Sequence, residues 1–341
     1  MKLADALRPL LERRNLSRAD MRQAMRDLMT GAATPSQIAG FLVALRMKGE
    51  TVDEIAAAAE VMRELSLRVS VPEDIRETLV DTCGTGGDAG GLFNVSTAAA
   101  FVVAAAGGHV AKHGNRAMSG RTGSADVLEA AGVKLELPPD QVARCIHEVG
   151  VGFMFAPAFH SATRHASVPR KELGVRTIFN LLGPLTNPAG ARNQVIGVFD
   201  RKWVQPLAEV LQALGSRHVM VVHSDDGLDE ISIAASTQYA ELKDGKVTTG
   251  ILRPGTLGVA PADLAPLRVN SAAESLAHIR KALGNEPGPA REMVAVNAAA
   301  AIYVSGLAKD LKEGAHIARQ AIESGGALQQ LDALAKLSQS L

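Results

Sequence analysis

The chain has 341 residues, and its 36 basic and 36 acidic side chains give a formal net charge of zero. This balance provides no overall attraction to nucleic acid or anionic lipid, although a local basic patch stays open. Apolar residues make up 47% of the chain, which is typical of a globular protein with a large core. Cys83 and Cys145 are too few and too far apart for a disulfide framework or a zinc site.

The chain begins with MKLADALRPLLERR, which is charged and amphipathic and lacks the apolar core of a secretory signal. Its most apolar run is AAAFVVAAAGGHVA, which is too short and too interrupted by glycine to span a bilayer. We therefore expect a cytoplasmic protein without a membrane segment.

The first 65 or so residues predict four short helices. The leucines of LADALRPLLERR recur at helical spacing, which places them on one face of the first helix. Ser17 and Gly31 mark the ends of the second helix, whereas Thr34 and Thr51 open the third and fourth with capping boxes. Because four short helices bury little surface, we expect them to pack against a later helical segment or a second copy of the chain.

Beyond residue 72, short apolar strands alternate with helical patterns, and YAELKDGKVTTG predicts a hairpin. This alternation indicates an α/β sheet covered by helices on both faces. The stretch DTCGTGGDAGG follows the first of these strands and precedes a helix. Gly84, Gly87 and Asp88 belong to it, and its backbone N–H groups are suited to binding a phosphate, unless the loop is merely a loose turn. Neither a dinucleotide fingerprint nor a P-loop fits, because the acid and the G-K-[ST] that these need are missing.

Two further stretches carry hydrogen-bond donors. Asn94, Ser96 and Thr97 either cap the following helix or hold a second phosphate. In KHGNRAMSGRTGSAD, Lys112 and Arg116 bring positive charge, and several small residues bring hydroxyls or flexibility, unless this is only a solvated basic loop. Since these stretches follow strands, we expect them at the ligand-binding edge of the sheet.

Two charged stretches complete the pattern. Arg170 either binds a carboxylate or lies on a solvated helix face. Asp229 and Glu230, in HSDDGLDEISI, lead directly into a strand. Paired carboxylates near a phosphate pocket indicate Mg²⁺, with a solvated acidic loop as the alternative.

With its stretches GTGGD, FNVST, KHGNR, GSADVLEAAGV, RKELGVRTIFNLLGPLTNP and GLDE in this order, the chain resembles the anthranilate phosphoribosyltransferases. The resemblance implies a small all-helical domain and a large α/β domain with a central, mostly parallel sheet flanked by helices. It places the helical domain, with the contact of a homodimer, at residues 1–68 plus about 166–185. The α/β domain takes residues 72–165 plus 186–341.

The resemblance also implies the reaction, in which phosphoribosyl pyrophosphate (PRPP) donates its 5-phosphoribosyl group to the amine of anthranilate. Two Mg²⁺ ions are implied, and their ligands are Ser96, Asp229 and Glu230. Anthranilate is bound by Gly84, His113, Asn115 and Arg170. The residues that bind PRPP are Gly84, Gly87, Asp88, Asn94, Ser96, Thr97, Lys112, His113, Gly114, Asn115, Arg116, Ser119 and Ser124. We take Lys112 and His113 as the catalytic residues.

Two positions depart from the family pattern. Leu92 stands where a threonine is usual, and Gly120 stands where a serine is usual. We expect no nucleic-acid or membrane partner. Two alternative functions are a nucleoside phosphorylase of the same fold and a relative without catalysis that binds nucleic acid.

Overall fold

The N-terminal part of the chain is helical, and its helix ends follow the local sequence. The protein is seen here as a computed structural model that describes residues 2–87, 90–117 and 122–341. The first four helices are α1 (Leu3–Leu11), α2 (Arg18–Thr30), α3 (Pro35–Lys48) and α4 (Val52–Glu64). The side chain of Ser17 caps α2, and Thr34 and Thr51 form the predicted capping boxes.

The buried face of α1 was predicted only in part. Leu3 and Leu10 are buried, but Leu11 is 75% exposed, so its place on the buried face was wrong. The helices α1–α4 form a helical unit, in which α1 packs against α3 and α2 packs against α4. A later helix, α10 (Arg164–Leu173), packs against both α2 and α3. The N-terminal helices thus bury their apolar faces against a segment that lies far away in sequence.

The sheet has seven strands in the order β3-β2-β1-β4-β5-β6-β7. Their bounds are β1 (Val80–Asp81), β2 (Val110–Gly114), β3 (Val151–Phe155), β4 (Asn193–Gly197), β5 (His218–Ser224), β6 (Thr237–Lys243) and β7 (Lys246–Leu252). The first five strands in spatial order are parallel, whereas β6 and β7 form the predicted antiparallel hairpin. The mostly parallel sheet is confirmed.

Helices cover both faces of this sheet. Those that remain are α5 (Glu73–Arg76), α6 (Val95–Ala105), α7 (Ser124–Ala130), α8 (Pro139–Val149), α9 (Ala156–Phe159), α11 (Phe179–Leu182), α12 (Val204–Ala213), α13 (Ala272–Leu283), α14 (Pro289–Val304), α15 (Leu311–Glu323) and α16 (Gly326–Ser340). One apolar core holds α6, α8 and α13–α16, and the other holds the helical unit and α12. Small side chains allow close packing, since a Cβ on Gly314 of α15 would lie 2.5 Å from the carbonyl oxygen of Ala299 on α14.

The parallel strands end at one edge of the sheet, and the donor-rich stretches follow them there. In an open α/β sheet, ligands bind in the crevice at the carboxyl ends of the strands. No helix in the described part of the chain is long and apolar enough to cross a membrane.

Candidate active site

The glycine loop after β1 is attached to the end of β4. The backbone N–H of Thr85 donates to the carbonyl of Gly197 at 2.8 Å, and the hydroxyl of Thr85 accepts from the N–H of Phe199 at 3.0 Å. Gly86 and Gly87 have φ angles of 63° and 78°, which non-glycine residues rarely adopt. The loop is therefore a defined turn with exposed backbone groups, which supports the phosphate-binding interpretation over a loose turn.

The acidic stretch after β5 lies against this glycine loop. A Cβ on Gly197 would lie 1.5 Å from the carbonyl oxygen of Asp229, and a Cβ on Gly84 would lie 3.3 Å from its Oδ2. The neighbouring Glu230 accepts a hydrogen bond from the backbone N–H of Ser96, in the first turn of α6, at 3.1 Å. Tertiary structure therefore brings together the three residues predicted to bind Mg²⁺.

These residues fit a magnesium ion chemically, because carboxylate and hydroxyl oxygens are the donors that Mg²⁺ prefers. Among the described residues there is no group of three or more His, Cys, Asp or Glu that could hold a metal without further ligands. Substrate oxygens and water would complete the coordination, as is usual for Mg²⁺ beside a phosphate.

Lys112 lies within β2 rather than in a loop, and it is only 3% exposed. Its ammonium group donates to the carbonyl and hydroxyl oxygens of Thr82 at 3.1 and 3.2 Å and reaches the hydroxyl of Ser96 at 3.5 Å. Ser96 thus stands between the cation Lys112 and the carboxylate of Glu230. A solvated basic loop is excluded for this lysine.

His113, the next residue on β2, is also 3% exposed, and its Nδ1 lies 3.1 Å from the carbonyl oxygen of Gly183. Its ring packs edge-on against that of His160, with 5.0 Å between the centroids. Burial and the neighbouring His160 lower the pKa of His113 to about 3, so the imidazole is neutral at physiological pH. Its Nε2 is buried without a hydrogen-bond partner in the described part of the chain.

Of the two interpretations of the stretch before α6, helix capping does not hold for Asn94. Asn94 occupies the N-cap position, but its side chain makes no cap hydrogen bond. Instead its Oδ1 accepts from the hydroxyl of Ser275, on α13, at 2.7 Å, and its Nδ2 donates to the carbonyl of Thr122 at 3.3 Å. The hydroxyl of Thr97 is buried, with no partner among residues 2–87, 90–117 and 122–341.

The residues at the end of β2 and directly after it make different kinds of contact. Arg116 is exposed and pairs with Glu129, with N–O distances of 2.7 and 2.9 Å, which raises the pKa of its guanidinium group. Asn115 is exposed, and its carbonyl accepts from the hydroxyl of Ser124 at 3.4 Å. A Cβ on Gly114 would lie 2.1 Å from the same hydroxyl, so this close approach requires glycine. Asp88, Ser119 and Gly120 lie outside the described residues.

Arg170 is half-buried, and its guanidinium lies over the ring of Phe179 at 4.8 Å from the centroid. Burial lowers the pKa of this arginine. Within the part of the chain that the structure describes, no acceptor or carboxylate contacts the guanidinium. A half-buried cation that stacks on an aromatic ring is suited to binding an anionic ligand, so carboxylate binding stays a prediction for Arg170.

Sequence reasoning missed two residues that shape this edge of the sheet. Arg176 donates to the carbonyl of Gly87 and lies 4.2 Å from the centroid of the Phe199 ring, so it connects the segment after α10 with the glycine loop. Asp81, at the end of β1, is fully buried. Its position between a strand and a glycine loop was the available signal. Leu92, which stands where the family usually has a threonine, forms an isolated β-bridge with Arg268 and packs against the core.

A helical bundle joined to an α/β sheet, with anion-binding loops at the edge of the sheet, defines a class of glycosyl transferases. The sequence profile described as "Glycosyl transferase family, a/b domain" matches residues 76–328. The profile described as "Glycosyl transferase family, helical bundle domain" matches residues 4–66.

Individual relatives narrow this class. The chain is 59% identical to the anthranilate phosphoribosyltransferase of Thioalkalivibrio sulfidiphilus, over 100% of both chains. Its structure is similar to that of the anthranilate phosphoribosyltransferase of Thermus thermophilus, with a TM-score of 0.92 and 44% identity, covering 98% of this chain and 99% of the other. The enzyme from Saccharomyces cerevisiae, in complex with PRPP and Mg, has a TM-score of 0.89 and 27% identity, covering 99% and 98%. The chain therefore belongs to the anthranilate phosphoribosyltransferase family.

Proposed function

We propose that this chain transfers the 5-phosphoribosyl group of PRPP to the amine of anthranilate and releases pyrophosphate, a step of tryptophan biosynthesis. One observation carries the proposal. Ser96 lies between the ammonium of Lys112, 3.5 Å from its hydroxyl, and the carboxylate of Glu230, 3.1 Å from its N–H, beside the glycine loop. Cation, anion and the backbone of the glycine loop thus meet at one point, as an activated sugar with a charged leaving group requires.

The barrier to this reaction is cleavage of the bond between C1 of the ribose and the pyrophosphate oxygen. Negative charge grows on the leaving group as the bond breaks. Lys112 and the N–H groups of Gly84, Gly86 and Gly87 are positioned by the fold before substrate arrives, so they stabilise this charge without reorganising. The same residues bind the pyrophosphate of the intact substrate more weakly than that of the transition state.

We assign Ser96, Asp229 and Glu230 as the ligands of two Mg²⁺ ions. The proximity of Asp229 to Gly84 and the hydrogen bond from Ser96 to Glu230 support this assignment. When bound, magnesium neutralises charge on the pyrophosphate and favours its departure. Without a metal, the two carboxylates would repel the pyrophosphate. The protein's contribution is to hold them where magnesium would bind.

On the acceptor side, we assign Arg170 to the carboxylate of anthranilate, with Gly84, His113 and Asn115 completing the subsite. The amine of anthranilate is an aniline and is uncharged at neutral pH, so it needs orientation more than deprotonation. The Nε2 of neutral His113 has no hydrogen-bond partner among the described residues, and in the tautomer protonated on Nδ1 it accepts a hydrogen bond. That acceptor suits the amine as it approaches C1.

We further propose the domain division 1–68 plus about 166–185 and 72–165 plus 186–341, with a homodimer formed through the helical part. The packing of α10 against α2 and α3 supports the division. Five of the six large apolar side chains that are most exposed among the described residues belong to this helical part: Leu11, Met47, Leu67, Val168 and Val175. Such side chains favour an interface between copies.

The decisive experiment follows the fluorescence of anthranilate after addition of PRPP and Mg²⁺. We expect fluorescence to fall with the wild-type chain and to stay constant with the double variant Asp229→Asn/Glu230→Gln. Thymidine with inorganic phosphate serves as the parallel substrate. Cleavage of thymidine without consumption of anthranilate would replace the proposal with a nucleoside phosphorylase, and full activity of the double variant would refute the metal site.

A further inference from the structure

Asp81 is the last residue of β1, and its side chain has no solvent exposure. Its carboxylate accepts three N–H groups. The backbone N–H of His113 donates to Oδ1 at 3.2 Å, and the side-chain amide of Asn187 donates to Oδ2 at 2.7 Å. The backbone N–H of Cys83 donates as well. The buried carboxylate thus finds its hydrogen-bond donors within the protein.

These donors come from three separate segments. Cys83 opens the glycine loop, His113 lies on β2, and Asn187 follows the run that closes the helical segment. Asn187 is itself held in place, because its Nδ2 also donates to the carbonyl of Ala111 at 2.8 Å and its Oδ1 accepts from the N–H of Ala189 at 2.9 Å. Only an amide supplies this pattern of donors and acceptor.

The charge of Asp81 also has a counterpart. Lys112 is buried on the neighbouring strand, and its own hydrogen bonds go to neutral oxygens of Thr82 and Ser96. Burial raises the pKa of Asp81 to about 6, and the attraction of Lys112 counteracts that rise. A buried charge of this kind costs stability unless its surroundings compensate it, and the N–H donors together with Lys112 provide this compensation.

We propose that Asp81 is a positioning residue for phosphoribosyl transfer: its carboxylate joins the start of the glycine loop, β2 and Asn187, so that the loop N–H groups and the side chains of Lys112 and His113 face the same substrate. Asp81 is buried beneath these groups and does not touch the substrate. The inference rests on the proposed function, since the groups that it positions are those assigned to PRPP and anthranilate.

The test begins with Asp81→Asn, which keeps the size of the side chain but replaces one acceptor oxygen with a donor. This donor faces either the amide of Asn187 or the N–H of His113, so the segments move apart. Because a misplacement of about 1 Å can cost about 100-fold in rate, we expect kcat to fall about 30- to 100-fold. Affinity for PRPP in the presence of Mg²⁺, measured by calorimetry, falls about tenfold on the same reasoning.

A second variant separates positioning from mere stability. The exchange Asp81→Asn/Asn187→Asp restores one donor–acceptor pair and the negative charge at this point but leaves the carbonyl of Ala111 without its donor, so we expect its kcat to exceed that of Asp81→Asn about threefold and to stay below wild type. The matched control is Asn193→Ala, on the neighbouring strand β4, where Asn193 pairs with Val80. The amide of Asn193 is equally buried and donates to the carbonyls of Glu77 and Leu79 at 2.8 and 3.1 Å.

We expect Asn193→Ala to lose stability while its activity per folded molecule stays within about twofold of wild type. The proposal is overturned if folded Asp81→Asn keeps kcat within about threefold of wild type. Should Asp81→Asn not fold, Asn187→Ser takes its place, with the same threshold for kcat. Since calorimetry needs no acceptor, loss of PRPP affinity supports the positioning role even if anthranilate proves not to be the acceptor.

Discussion

Two buried lysines in this molecule lie in opposite surroundings. In the helical unit, the side chain of Lys48 is 3% exposed and donates to a carboxylate oxygen of Glu54 at 2.7 Å. At the edge of the sheet, Lys112 is equally buried, but its hydrogen bonds go to neutral oxygens of Thr82 and Ser96. Lys48 forms a direct ion pair, whereas Lys112 interacts with the buried charge of Asp81 without contacting it.

The partner of Lys48 is itself fully engaged. Glu54 also accepts from the backbone N–H of Leu16 at 2.9 Å and from that of Thr51 at 2.8 Å. This network lies within the helical unit and leaves no charge for a ligand, so its role is to connect the loops around α4. Lys112 keeps its charge available beside the glycine loop. The comparison shows that burial alone does not reveal function, whereas the partner of a buried cation does.

The largest expected effect is on stability, from Lys48→Met. Removal of the cation leaves Glu54 buried without its counter-charge, and breaking such a pair costs about 3–5 kcal/mol. We expect this loss in the free energy of unfolding, measured with urea at pH 7.5, while kcat per folded molecule is unchanged. Arg18→Ala, which breaks an exposed pair with Glu60, serves as the control and costs less than about 1 kcal/mol. An equal loss in both variants would contradict the structural role of Lys48.

Lys112→Met makes the complementary change at the edge of the sheet. Because a preorganised charge at the leaving group is lost, we expect kcat to fall about 10²- to 10³-fold. Steady-state kinetics with both substrates saturating measures this effect. Lys246→Met, on the exposed hairpin, removes the same charge and should leave kcat at the wild-type value. If Lys112→Met were no slower than this control, the assignment of Lys112 to the leaving group would fail.

Arg170 sharpens the comparison with a third cation, one that stacks on Phe179. Loss of its charge-assisted hydrogen bonds, each about 1.5–3 kcal/mol, predicts that Arg170→Ala raises the KM for anthranilate by tens of fold and the KM for PRPP by less than about twofold. Arg170→Lys should recover only part of the affinity, since an ammonium lacks the planar fork. Equal changes in both KM values would remove the carboxylate assignment.

The smallest effect concerns His160, which packs against His113 and whose pKa burial lowers to about 4. In the unfolded chain its pKa is about 6.5, so the unfolded state binds the additional proton and stability falls as the pH drops from about 6.5 towards 4. At pH 5, binding of this proton by the unfolded chain lowers the free energy of unfolding by about 2 kcal/mol. We expect His160→Phe to lose less free energy of unfolding than wild type between pH 7.5 and pH 5. A steeper or equal loss would contradict this reasoning.

Much of the fold follows from short-range patterns. The caps at Ser17, Thr34 and Thr51 act over three residues, so local sequence decides them. The alternation of strands and helices likewise predicted the sheet. Leu11 was misplaced because α1 is buried on a narrower face than its leucines suggest. The hydrogen bond between Asn94 and Ser275 could not be predicted, because the two residues lie 181 positions apart.

The glycine loop, the basic strand and the acidic pair could be identified from residue types alone. Exposed backbone N–H groups, cations and paired carboxylates in one chain are typical of a site that binds phosphate and a metal ion. Their meeting at Ser96 could not, because Glu230 is 134 residues distant and the strand order decides which loops become neighbours. Arg116 illustrates the same limit, since its pairing with Glu129 on the next helix depends on how the loop turns.

What the sequence by itself determined is therefore local: helix ends, strand periodicity, and the chemical character of each loop. Tertiary structure decided which charges are compensated. The link between Asp81 and Asn187 spans 106 residues, and Lys48 and Lys112 acquired opposite surroundings only through packing. The physical reason is that hydrogen-bond and charge energies depend on distance and solvent exposure, which the order of residues along the chain does not specify.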